Sequence, residues 1–124
     1  HQADGAGVPG VYPPLAGSEW VLGTGWHGDN HLVSIVLSGL QGPVEVGGRP
    51  FNNSMPTWKF LGDEEIAAVL TYIRREWGNS ALPITPEFVR QVRAKNSARA
   101  EPWSQNELKA VPPEQQELPL REAR

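Results

Sequence analysis

Apolar residues Ile66, Val69, Leu70, Ile73 and Trp77 recur at three- and four-residue steps, the period of a helix with one buried face. The pattern predicts a helix from about Asp63 to Trp77. Gly62 stands at its N-cap, and Asp63, Glu64 and Glu65 face the positive end of the helix dipole. Arg74 and Arg75 complement the last turn, and Gly78 fits the left-handed position after it. Leu32, Val33, Ile35, Val36, Leu37 and Leu40 make a wide apolar face, predicting an earlier helix capped by Asp29 or Asn30 and ended by Gly39 or Gly42. A third helix starts at Thr85, with Pro86 at its first turn and Phe88, Val89 and Val92 on one side. Ser104 and Glu107 have the spacing of a capping box for a last short turn. Residues 1–31 and 41–61 show no sustained period and read as loops rich in Gly, Pro and aromatics.

Composition narrows the picture. The 124 residues have room for one domain, and 39% apolar content suits a small core. Twelve Pro and thirteen Gly predict much loop and little sheet. The net charge of −3 offers no basic stripe for nucleic acid. No run approaches the roughly 18 apolar residues of a membrane span. From Val111 onward Pro, Glu and Gln dominate, the composition of a disordered tail. The chain opens on His1, without an initiator Met, and is expected to be a fragment of something longer.

Two helices and two long Gly/Pro loops bury little surface alone, so something is expected to fill the middle. The loops carry His1, Tyr12, Trp20, Trp26, Phe51, Trp58 and Met55, the single Met of the chain. An imidazole and a thioether are the axial pair of many low-spin haems. Taken alone, however, a Met beside a Pro is more often packing filler than a ligand.

The order of motifs adds a resemblance. His1-Gln2-Ala3-Asp4-Gly5-Ala6-Gly7 resembles the residues that follow the two Cys of a C-x-x-C-H haem-attachment motif in class I cytochromes c. Tyr12-Pro13-Pro14-Leu15-Ala16-Gly17-Ser18 is similar to that family's Pro-x-Leu-x-Gly segment, Ser54-Met55-Pro56 to its distal loop, and Asp63–Arg74 to its C-terminal helix. Three further stretches (Pro14–Val21, Gly39–Pro43 and Tyr72–Asn79) resemble the branch in which such a domain closes large bacterial dehydrogenase-like proteins.

The resemblance implies an all-α, cytochrome c-like fold that lacks the family's N-terminal helix. It divides the chain into a haem-binding domain over residues 1–79, a helical extension over 80–110 and a disordered tail over 111–124. Haem c is the implied cofactor, with His1 and Met55 as metal ligands and the attachment cysteines expected directly before His1. The implied cofactor-binding residues are Pro13, Leu15, Trp20, Leu40, Asn52, Met55 and Tyr72. Pro13 accepts the His1 Nδ1 proton through its carbonyl, and Tyr72 packs against the missing helix. Asn52 or Asn53, and Trp20 or Arg49, are candidates for a haem propionate, against plain turn and packing roles. His27 and His31 are expected in solvent or capping roles.

The implied function is electron transfer without bond-making catalysis, in the periplasm or at the cell surface of a bacterium. An upstream dehydrogenase-like domain and a respiratory acceptor are the implied partners. The rival is a haem-free module whose Trp20, Trp26, Trp58, Trp77 and Trp103 stack on a carbohydrate or a protein partner. It requires several of those rings on one exposed groove.

Overall fold

The computed structural model describes residues 1–116, so the last eight positions of the expected tail lie outside the described residues. Helices α1 (Glu19–Leu22) and α2 (Asp29–Ser38) are followed by strands β1 (Pro43–Val46) and β2 (Arg49–Asn52). Helices α3 (Asp63–Ile73), α4 (Pro86–Lys95) and α5 (Gln105–Ala110) complete the order.

The all-α expectation is therefore corrected. β1 and β2 form an antiparallel hairpin that pairs Val44 with Phe51 and Val46 with Arg49. Its two-residue turn is Gly47-Gly48, with φ of +61° and +76°. Left-handed conformations at both turn positions match the twist of a tight hairpin, and glycine adopts them without strain. Val44, Val46 and Phe51 point inward while Glu45 stays exposed, the alternation of a half-buried strand.

The helices follow their caps. Glu65 reaches back to the Gly62 N–H at 2.9 Å, Thr85 accepts from Phe88 at 3.1 Å, and Ser104 and Glu107 exchange backbone bonds. α3 is shorter than the periodicity suggests. It ends at Ile73, because Trp77 and Gly78 both turn left-handed.

Two apolar clusters result. Leu32, Val33 and Leu37 of α2 pack with Ile66, Ala67 and Leu70 of α3 and with Phe88, Val89 and Val92 of α4. Trp20, Val44, Val46, Phe51, Trp103 and Leu108 gather with Ile35 on the other side of α2. α2 thus stands between a helical half and a hairpin half.

A buried ion pair joins the elements. Arg74 Nη1 donates to Asp29 Oδ1 at 3.0 Å and to the Val21 carbonyl at 3.0 Å, and its Nε donates to the Leu82 carbonyl. Arg74 thus caps chain ends rather than decorating the last turn of α3 from solvent. The segment 111–116 runs along the start of α2, where Asn30 bonds the Pro112 carbonyl and the Glu114 N–H.

Candidate functional site

A cavity of about 370 Å³ opens between the two clusters. The helical side contributes Leu32, Val36, Ile66, Val69, Leu70 and Ile73. Trp20, Leu40, Val44, Val46 and Trp58 line it from outside that helical pair, and His1, Pro13, Leu15 and Met55 complete the lining. A smaller recess of about 260 Å³ continues past His1 and Met55 to Val11, Tyr12 and Asn53.

His1 is held by the chain that follows it. Gly7 N–H donates to the His1 carbonyl at 3.0 Å, and Leu15 and Ala16 N–H groups both donate to the Gly5 carbonyl. Gly7, at φ +71°, must be glycine, since a Cβ there would meet the Tyr12 carbonyl at 2.3 Å. This folded turn brings Pro13 back to His1, whose Nδ1 donates to the Pro13 carbonyl at 2.7 Å. A carbonyl only accepts, so Nδ1 carries the proton and, in the neutral ring, Nε2 keeps its lone pair free.

Asn79 then ties the turn to α3. Its side chain donates to the Leu15 and Ile73 carbonyls and accepts from the Gly17 N–H at 2.7 Å. Trp77 adds a bond from its indole to the Ala3 carbonyl.

Met55 is fixed from the backbone. Leu40 and Met55 exchange two bonds, of 3.1 and 2.8 Å, as an isolated antiparallel bridge. Gly39 permits this approach, because a Cβ there would lie 2.6 Å from the Met55 carbonyl. Thr57 and Trp58 then bond to the Leu37 and Val36 carbonyls, satisfying the end of α2.

The residues singled out in the sequence do not all gather here. His1, Pro13, Leu15, Trp20, Leu40 and Met55 line the cavity. Asn52 sits exposed at the end of β2, and Tyr72 is 55% exposed with its ring edge-on to Trp77. The Trp20 indole N–H donates to the Glu45 carbonyl at 2.9 Å, which occupies its one donor. Arg49 is exposed on the hairpin, away from the cavity wall. The five indoles do not share one exposed groove: Trp20 and Trp103 are buried, and Trp58 stands at the cavity.

His27 and His31 are buried rather than solvated. His31 accepts from the Gly28 N–H through Nδ1 and donates from Nε2 to the Val111 carbonyl, so it caps α2 as a neutral ring. His27 donates from Nδ1 to the Thr24 carbonyl, and its Nε2 has no partner among the described residues. Burial pushes the His27 pKa below its ordinary value. Sequence reading missed Asn79, the Leu40–Met55 bridge and the hairpin. Only the hairpin had a signal, the Gly47-Gly48 pair.

An apolar cleft with one free imidazole nitrogen and one thioether on its wall has the donors and the dryness that a flat iron macrocycle requires. The family model for cytochrome c matches residues 1–77, over half of the chain, and the chain belongs to that family. It is 42% identical over 100 residues to a cytochrome c-552 of Thermus thermophilus, covering 77% of this chain and 76% of the relative. It is 35% identical over 83 residues to the cytochrome c subunit of a quinone alcohol dehydrogenase of Gluconobacter oxydans (strain 621H). That match covers 65% of this chain and 16% of the relative. A gluconate 2-dehydrogenase cytochrome c subunit of Pantoea cypripedii is 33% identical over 104 residues, which is 81% of this chain and 22% of that subunit. The chain is thus an electron-carrier domain and not an enzyme.

Haem c as the cofactor of this chain is corrected. None of the 124 residues is a cysteine, so no thioether bond to a haem vinyl group can form within it. What the family supports is haem binding.

Proposed function

We propose that the cavity takes one haem, with His1 Nε2 and the Met55 thioether as its two axial ligands, and that the domain relays single electrons. The observation that supports the reading is that both donors line one apolar cavity, His1 with its Nδ1 already committed to Pro13. When bound, haem supplies one-electron chemistry between ferrous and ferric iron.

The chain's own residues set the conditions. The Pro13 carbonyl fixes the His1 ring and raises the basicity of its free nitrogen. Met55 offers a soft donor that favours the reduced state. The aliphatic side chains of α2 and α3 exclude water and so disfavour additional positive charge inside the cavity. Tyr12, Trp58 and the 74%-exposed Phe60 form an apolar rim beside the recess, a surface suited to brief docking of a redox partner.

A dehydrogenase as donor and a respiratory acceptor fit the named relatives, and so does a place outside the bacterial cytoplasm. Residues 1–79 act as the haem-holding part and 80–110 as a brace behind it.

Titrating the purified chain with haemin tests this. Saturation at one haem per chain with a low-spin spectrum is expected, and Met55→Ala should give a high-spin or altered spectrum while retaining haem. No saturable uptake, or a spectrum indifferent to both His1→Ala and Met55→Ala, overturns the assignment.

A further inference from the structure

From Trp20 in its lining, the cavity continues outward as aromatic rings. Trp20 lines the cavity and is 6% exposed. Its ring lies 5.2 Å, edge-on, from Trp26, whose ring stacks on His27 at 3.9 Å, and His27 in turn lies 4.6 Å from Trp20. Trp26 is half-buried and reaches the surface beside α5, where the Lys109 ammonium sits 5.5 Å from its ring. The three rings are thus in mutual contact from the cavity wall to solvent. Nothing in the His1 and Met55 arrangement requires them.

We infer that Trp20, Trp26 and His27 form a second electron path, leading from the haem cavity to the surface around Lys109, remote in sequence from the Tyr12–Trp58–Phe60 rim. The inference rests on the haem reading above. Electron tunnelling decays steeply with distance and more steeply across gaps than through packed atoms, so contiguous rings keep the coupling high along one direction. The path carries one electron by tunnelling. No ring is oxidised, no bond forms or breaks, and no proton moves, which agrees with Nδ1 of His27 staying bonded to Thr24. A second exit besides the rim gives the electron another route, with Lys109 favouring an acidic partner there.

The test uses the absence of cysteine from the chain. Lys109→Cys, or in a second protein Lys59→Cys beside the rim, carries the only thiol and takes a ruthenium photo-oxidant. Each protein is loaded with haemin, and its visible spectrum and midpoint potential are recorded first. Flash-induced electron transfer between haem and ruthenium is then timed with and without Trp26→Leu. Trp26 does not line the cavity, so spectrum and potential should stay the same. The rate from position 109 should fall severalfold in Trp26→Leu and recover in Trp26→Phe, while the rate from position 59 stays unchanged. Equal rates from position 109 with Trp and Leu overturn the path and leave the haem reading standing. A parallel loss from both positions also overturns it, since that signals general loosening. Failure to load haem overturns both readings at the outset.

Discussion

The two walls of the cavity are built in different ways. The helical wall, α2 with α3, is made of residues three and four apart, and it offers only aliphatic surface: Leu32, Val36, Ile66, Leu70 and Ile73. The rest of the lining is assembled from distant pieces of chain, residue 1 against 13, 20 against 45, 40 against 55 and 103, and it carries the imidazole, the thioether and the indole. Helical periodicity suits a uniform greasy surface. Placing single donor groups requires backbone that turns sharply, which is why left-handed glycines crowd the second wall. Chemistry here sits on the irregular side and stability on the regular one.

The buried Asp29–Arg74 pair, which ties the start of α2 to the end of α3, should be the most sensitive point. Asp29→Ala leaves the Arg74 guanidinium buried without its carboxylate and is expected to cost about 3–5 kcal/mol. That is a large part of the roughly 5–15 kcal/mol that a small domain possesses. Urea unfolding of the chain reads it, and a loss under 1 kcal/mol, within the range of an exposed pair, would show that α2 and α3 hold together without this pair.

Next comes the helical wall. Leu70→Ala, at a site 1% exposed, should destabilise by about 2–5 kcal/mol and enlarge the cavity. If the two walls divide the work as described, it lowers the urea midpoint far more than it alters the spectrum of bound haem. A changed axial spectrum with an unchanged midpoint would reverse the comparison.

On the hairpin wall, Gly48→Ala meets no neighbouring atom, so its cost is backbone strain alone, about 1–2 kcal/mol. Haemin affinity should fall with it, because β1 supplies Val44 and Val46 to the cavity. An unaffected affinity would mean that the hairpin is dispensable to the site.

The smallest effect is expected from His27. Its folded pKa lies below the ordinary 6.5, so between those two values the unfolded chain binds a proton that the folded chain does not. Stability should therefore decline as pH falls from 6.5 towards the folded value, and be flat in this respect above 6.5. Thermal melts of His27→Gln should show a shallower slope over that window. An equal slope in both proteins assigns the dependence to another group.

The same division explains what was legible in the sequence. α3, α4 and the caps at Gly62, Thr85 and Ser104 follow from period and local chemistry, and the structure has them in place. β1 and β2 were read as loop because each spans four residues and carries a Pro, too little for alternation to stand out. The burial of His27 and His31 was not legible either, since it depends on Trp26 stacking and on residue 111 returning to α2. Asn79 looks like any polar turn residue until its bonds to Leu15, Gly17 and Ile73, two of them long-range, are seen. His1, Pro13 and Met55 stood out only because four motifs kept a familiar order.

The account turns on whether the Met55 thioether reaches iron from the irregular wall. Met55 is the only methionine, so labelling the methionine methyl with carbon-13 gives one signal and no assignment problem. In the haemin-loaded, reduced chain, the account predicts that methyl resonance displaced far upfield of its ordinary position by the macrocycle's ring current. A methyl signal that stays at the ordinary position of a packed methionine when haem binds would contradict it.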